Sequence, residues 1–149
     1  MPHKILITGA GGFVGTYLIK ELHQDPECEI FGSVFKSTSD ISTLLSADHI
    51  IEGDLSDSNF TSELIQKTQP EVIYHLAALS VVGSSVDKAV SVMNTNTTIS
   101  YNILEKLTRL PPNLLPSALP TSTVQSQTRP TLSTNRPPCA HSIPMPSQK

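Results

Sequence analysis

Lys4-Ile5-Leu6-Ile7-Thr8-Gly9-Ala10-Gly11-Gly12-Phe13-Val14-Gly15 is the stretch on which the fold turns. A short apolar run meets a cluster of glycines, and a helical pattern follows at once. Ile5 to Ile7 are too few for a helix and are apolar on both faces, which predicts a buried strand of a parallel sheet. Gly9 lets the chain turn tightly out of that strand. Gly12 omits a side chain where a pyrophosphate would approach the backbone, and Gly15 lets the helix pack close. Free N–H groups and the positive end of the helix dipole then face the phosphates of a dinucleotide. The alternative is a glycine-rich turn that holds no ligand.

The chain has 149 residues and a net charge of -3. That length suffices for one domain with a real core. The mild charge predicts neither a nucleic-acid partner nor an anionic membrane surface. No apolar run approaches membrane-spanning length, and the few residues before Ile5 hold no signal-peptide pattern, so a cytoplasmic location is expected. Cys28 and Cys139 lack metal-ligand spacing and are expected to be two free thiols.

Composition changes abruptly near Leu107. Every Asp and Glu lies at or before Glu105, the last glycine is Gly83, and nine of the twelve prolines follow Lys106. Residues 1–107 therefore read as the domain and residues 108–149 as a separate, low-complexity tail.

Within the domain, Val14, Leu18, Ile19 and Leu22 repeat at helical spacing. Glu29 to Phe35 reads as a second strand, His49 to Glu52 as a third and Val72 to His75 as a fourth. Helices are expected around Phe60, Leu64 and Ile65, ending before Pro70, and from Asp87 to Leu107 with Val90, Met93, Thr97, Tyr101 and Leu104 inward. Alternating strands and helices predict an α/β fold, a Rossmann-like doubly wound parallel sheet with strand order 3-2-1-4. The end of the second strand is where such a unit selects its cofactor. Lys36, Ser37, Thr38 and Ser39 stand there, with no carboxylate before Asp40. A lysine and hydroxyls suit the 2′-phosphate of NADP better than the bare ribose of NAD. A solvated loop lysine is the ordinary alternative.

Thr8-Gly9-x-x-Gly12-x-x-Gly15 after an amino-terminal strand resembles the extended short-chain dehydrogenase/reductase family, the nucleotide-sugar epimerases and dehydratases. The resemblance implies that Gly9, Gly12, Phe13, Val14 and Gly15 form the phosphate end of an NAD or NADP site. Gly53-Asp54-Leu55 resembles the segment whose aspartate meets the adenine amino group; an Asx turn or a helix cap is the competing role for Asp54. Leu76, Ala77 and Ala78 match the small strand exit against which the cofactor lies. Leu79 to Val86 is similar to a loop of UDP-glucose 4-epimerases, which implies that Ser80, Val82 and Ser85 line the sugar. Phe31 to Ser37 is similar to GDP-mannose 4,6-dehydratases. Asn94 to Leu104 resembles the family pattern Asn-x-x-Gly-Thr-x-Asn-Leu-Leu, with Asn96 aligned to the asparagine that orders the active site, Ile99 in place of the glycine and Ser100 in place of the threonine. His75 is a tempting acid–base group, but the family does not use this position, and a packed strand histidine is the expectation. Intact relatives of the family dimerise through the helix at 87–107 and the one that follows the catalytic tyrosine; the second is absent here, so the resemblance implies a homodimer for intact relatives and leaves the state of this chain open.

The family continues with a fifth strand and then a catalytic Tyr-x-x-x-Lys. No tyrosine follows Tyr101, so no catalytic residue is assigned. Thr108 to Lys149 is rich in Pro, Ser and Thr and is expected to be disordered. The fourth strand would then present an unpaired edge. The tail is also expected to be the family sequence read in a shifted frame. Codons taken from the third base of one residue and the first two of the next turn Met145-Pro146 into alanine. Ser142 to Lys149 then permits Asn-Pro-Tyr-Ala-Val-Ser-Lys, and Pro116 to Val124 permits Val-Ser-Ser-Ala-Asn-Val-Tyr-Gly.

Overall fold

The computed structural model describes residues 2–36, 40–80, 86–108 and 117–120. In chain order it contains β1 (His3–Thr8), α1 (Phe13–Leu22), β2 (Cys28–Val34), a 3-10 turn at Ala47–His49, β3 (Ile50–Glu52), α2 (Ser58–Thr68), β4 (Val72–His75), α3 (Val86–Thr108) and β5 (Ser117–Pro120). All strands run parallel, in the order β3-β2-β1-β4-β5.

Alternation along β1 explains why its apolar run has no polar face. Ile5 and Ile7 point to one side, where α1 delivers Ile19 and Leu22 and the loop after β2 delivers Ile41 and Leu45. Leu6 points to the other side, against Leu64 and Ile65 of α2 and Ile99, Ile103 and Leu107 of α3. With helices on both faces, a central strand must be apolar throughout. α2 is capped at its start by Asp57, whose side chain accepts the Asn59 N–H, and at its end by Gln69 in the left-handed conformation, before Pro70.

The order 3-2-1-4 is present, and the sheet goes one strand further than the sequence suggested. Ser117–Pro120 pairs with β4 in parallel register, from Val72 opposite Ser117 to His75 opposite Pro120. The fourth strand's edge is therefore covered. A four-residue strand ending in proline lacks the apolar alternation that announces a strand, and proline is tolerated at an outer edge.

Two helix faces also differ from expectation. Val90, Met93, Tyr101 and Leu104 were expected inside α3, yet they are 52%, 68%, 62% and 56% exposed, and Thr97 is exposed with them. α3 instead buries Ile99, Asn102, Ile103 and Leu107. In α1, Val14 is exposed, and Gly15, Ile19 and Leu22 form the buried face. Cys28 is disulfide-bonded and not a free thiol; Cys139 lies outside the described residues. Among the described residues no helix is long and apolar enough to cross a membrane.

Candidate functional site

A cleft of about 530 Å³ opens where the strands end. Its floor is the turn between β1 and α1, with Gly9, Gly11 and Gly12. One wall comes from Ser33, Val34 and Phe35 at the end of β2 and from Gly53 to Ser56 after β3. The other comes from Leu76 to Leu79 after β4, backed by Thr95 and Ile99 of α3.

The three spaced glycines are required for different reasons. Gly9 has φ +70, and a Cβ there would lie 2.8 Å from the Ala77 nitrogen, because β4's exit passes directly over it. A Cβ at Gly15 would lie 2.6 Å from the Gly9 carbonyl oxygen, so the first helical turn can seat on the loop only without a side chain. Gly12 is less crowded: its Cβ would meet just the Gly9 oxygen, at 3.2 Å. Gly12 is the N-cap of α1, no side chain caps the helix, and its first turn holds no acidic residue. The N–H groups of Phe13, Val14 and Gly15 take no acceptor among the described residues. Such a terminus attracts an anion. Phe13 is 90% exposed beside it.

The β4 side is built on a hydrogen-bond chain. Thr8, fully buried at the end of β1, accepts the Ala77 N–H at 3.3 Å. Its hydroxyl also lies 2.8 Å from His75 Nδ1, and His75 Nε2 lies 3.2 Å from the Ser100 hydroxyl of α3. Burial holds the His75 imidazole below its ordinary pKa, which favours the neutral ring. Both ring nitrogens are engaged and His75 does not line the cleft, in keeping with a packed strand histidine. Asn96 sits one layer further out. Its Oδ1 accepts the Leu79 N–H at 2.7 Å and its Nδ2 donates to the Leu79 carbonyl at 3.1 Å, so it fixes the loop without lining the cleft.

At the opposite end, Asp54 lines the cleft and also makes the Asx turn: its Oδ1 accepts the Ser56 N–H at 2.8 Å and the Ser56 hydroxyl at 2.7 Å. The cap of α2 is left to Asp57. Leu55 lines the cleft with its backbone neighbourhood and is itself buried. Lys36, at φ +40, lies just beyond the wall, its Nζ 5.7 Å from the centre of the Phe35 ring.

Of the residues singled out in the sequence, Gly9, Gly12, Asp54, Leu55, Leu76, Ala77 and Ala78 thus surround one cleft. Phe13, Val14, Gly15, Lys36 and Asn96 border or support it. Ser80 is exposed and follows Leu79, the last of the cleft-lining residues after β4. Ser37, Val82 and Ser85 lie outside the described residues. Ser33, Phe35, Ser56 and Thr95 line the cleft and were not singled out. Position alone could have flagged Phe35, as the residue after the second strand. Thr95 has no local signal. No cluster of His, Cys, Asp and Glu able to hold a metal ion occurs among the described residues.

Compared with known proteins, the chain matches the NAD dependent epimerase/dehydratase family over residues 5–137. The chain belongs to that family. The match of this epimerase/dehydratase chain runs past Leu107, beyond the motifs that carry the sequence resemblance. Among curated relatives, GDP-6-deoxy-D-talose 4-dehydrogenase of Aggregatibacter actinomycetemcomitans is 32% identical over 107 residues, covering 72% of this chain and 31% of that protein. dTDP-glucose 4,6-dehydratase of Salmonella typhimurium is 28% identical, covering 68% and 30%. Among solved structures, a UDP-glucose 4-epimerase matches at 26% identity with TM-score 0.60, over 70% of this chain and 31% of that one. A Thermus thermophilus UDP-glucose 4-epimerase in complex with NAD shares the fold at 23% identity and TM-score 0.58, over 68% and 32%. The epimerase/dehydratase chain spans about a third of the length of the curated relatives it matches.

Proposed function

We propose that this chain is the cofactor-binding, amino-terminal portion of an NAD(P)-dependent nucleotide-sugar epimerase or dehydratase of the 4-epimerase or 4,6-dehydratase type. The observation that carries the reading is the convergence of the uncapped α1 terminus, Asp54 with Leu55, and Leu76 to Ala78 on one cleft. The N–H groups of Phe13 to Gly15 would hold the pyrophosphate, and the open side of Gly12 gives it room. Asp54 and Leu55 would face the adenine. Ala77 and Ala78 would leave space for the nicotinamide half, and by the family resemblance Ser80, Val82 and Ser85 would line the sugar. Bound there, the nicotinamide would supply hydride transfer at the sugar's C4.

Lys36 and Ser37 favour NADP over NAD in this proposal, because a cation at the end of β2 suits the 2′-phosphate. The sugar nucleotide is inferred from relatives; one Thermotoga maritima neighbour, 25% identical, was solved with UDP-glucose. A homodimer would use the outward stripe of α3, and nothing in the charge calls for nucleic acid or membrane partners. The domain is taken to be residues 1–107, its sheet extended by β5, and the chain from residue 108 a frameshifted tail, in the cytoplasm. With no tyrosine after Tyr101, the 149-residue chain by itself is expected to turn over no nucleotide sugar.

Calorimetry on the 149-residue chain tests this. NADP is expected to bind at least as well as NAD. No heat with either cofactor would overturn the reading, and measurable epimerase or dehydratase turnover would overturn the inactivity. The missing tyrosine also favours a second reading, an NADP-binding module without chemistry; a defined macromolecular partner for residues 108–149 would support it over the first.

A further inference from the structure

Helix α3 reaches the cleft wall through a side chain that never enters the cleft. Asn102 is 5% exposed, on the face that carries Ile99, Ile103 and Leu107 into the core. Its amide nitrogen donates to the Leu55 carbonyl at 2.9 Å and to the Ser56 carbonyl at 3.0 Å. Both amide protons are thereby spent on consecutive carbonyls of the loop between β3 and α2. That loop is tied on its other side as well. Ser56 gives its N–H and its hydroxyl to one oxygen of Asp54, at 2.8 and 2.7 Å. Ser56 therefore stands between Asn102 and Asp54. The second oxygen of Asp54 has no hydrogen-bond partner among the described residues, and Asp54 lines the cleft. Packing alone does not call for an amide at position 102, since an aliphatic side chain of the same size would fill the space without a desolvation cost.

We infer that Asn102 is a positioning residue for the purine end of the cleft: through Ser56 it sets the direction in which the second carboxylate oxygen of Asp54 meets the ligand. The group so recognised is a purine with an exocyclic amine, the donor that a fixed carboxylate oxygen accepts. The inference rests on the dinucleotide reading of the cleft, and it concerns a residue that acts through another and does not itself touch the ligand.

The test is a double-mutant cycle on the full 149-residue chain, with ADP as the probe and inorganic pyrophosphate as the control. Asn102→Leu and Asp54→Ala are each expected to weaken ADP on the order of tenfold, the effect of losing one charge-assisted hydrogen bond. Pyrophosphate binding is expected to stay unchanged. The double variant is expected to bind ADP no worse than Asp54→Ala alone, because Asn102 has nothing left to orient. Additive losses, or unchanged ADP affinity in a folded Asn102→Leu chain, overturn the inference. Ser56→Ala removes an accessible hydroxyl at no packing cost and carries the test if Asn102→Leu does not fold; it is expected to weaken ADP in the same direction, and wild-type affinity overturns the relay. Should the wild-type chain take no ADP, the dinucleotide reading fails, and hydrogen exchange of the ligand-free chain decides on Asn102. The Ser56 and Asp57 amides are then expected to exchange at least about tenfold faster in the variant, with β1 unchanged; equal rates overturn it.

Discussion

Replacing Gly12 and Gly15 by alanine, one at a time, separates the folding of the glycine loop from its use. At Gly15 the new methyl would stand 2.6 Å from the Gly9 oxygen, 2.7 Å from the Ala10 oxygen and 2.8 Å from the Ala10 Cα. All three are backbone atoms, so none can swing aside. Overpacking of this kind costs about 3 kcal/mol at its upper end, and the better helix propensity of alanine offsets about 1 kcal/mol. Gly15→Ala should therefore destabilise by about 2 kcal/mol, or about 10 °C in Tm for a domain of this size. At Gly12 the backbone is extended, with φ -76, and the sole close contact is 3.2 Å. Loss of a glycine N-cap there should cost about 0.5 kcal/mol. The same methyl, however, would occupy the side from which an anion reaches the helix terminus. Gly12→Ala is expected to weaken NADP at least about tenfold, or 1.4 kcal/mol. Thermal melts followed by circular dichroism, paired with calorimetry, measure both quantities. If Gly12→Ala melts as early as Gly15→Ala, or binds NADP like the wild type, the assignment of separate roles is wrong.

Stability should depend on pH through His75. Its imidazole is held below the usual 6.5 by burial in the folded chain, so the unfolded chain takes up a proton near that pH and the folded chain does not. This stabilisation is fully present above pH 6.5 and is lost as pH falls below it toward the folded-state value; urea midpoints should drop less steeply with acid in His75→Gln than in the wild type, and parallel curves would refute the argument. Lys36→Glu should weaken NADP several-fold and leave NAD nearly unchanged, since the side chain is exposed and its Nζ approaches the Phe35 ring alone among the described residues; equal effects on both cofactors would remove Lys36 from the site. Sequencing the coding DNA should give codons that read Tyr-Ala-Val-Ser-Lys in the shifted frame across Ser142 to Lys149, and codons that forbid it would end the frameshift proposal.

The sheet was legible because burial on both faces forces apolar runs, and β1, β2 and β4 carry them. The first crossover was legible because backbone crowding at Gly9 and Gly15 disfavours any side chain. α3 was misjudged for a physical reason: it carries two apolar stripes, one through Val90, Met93, Tyr101 and Leu104, the other through Ile99, Ile103 and Leu107. Periodicity finds both and cannot say which meets the sheet. The buried stripe also contains Asn102, and a polar residue argues for the surface until its partners are known. Those partners, the Leu55 and Ser56 carbonyls, lie 46 or more positions away in sequence. Thr95 and Ser33 were invisible for the same reason, because only the assembled fold brings them to the cleft. The positions of Asp54, Leu76, Ala77 and Ala78 on the cleft were legible because each follows directly on a strand end.

α3 grips both lips of the cleft, Leu79 through Asn96 and Leu55 with Ser56 through Asn102. The two lips are thereby tied to a common spindle. A tilt of the spindle of even a fraction of an ångström would shift both lips at once. On the proposed dinucleotide reading, crowding against its outward flank and the grip on the ligand are expected to be geared to each other, in both directions.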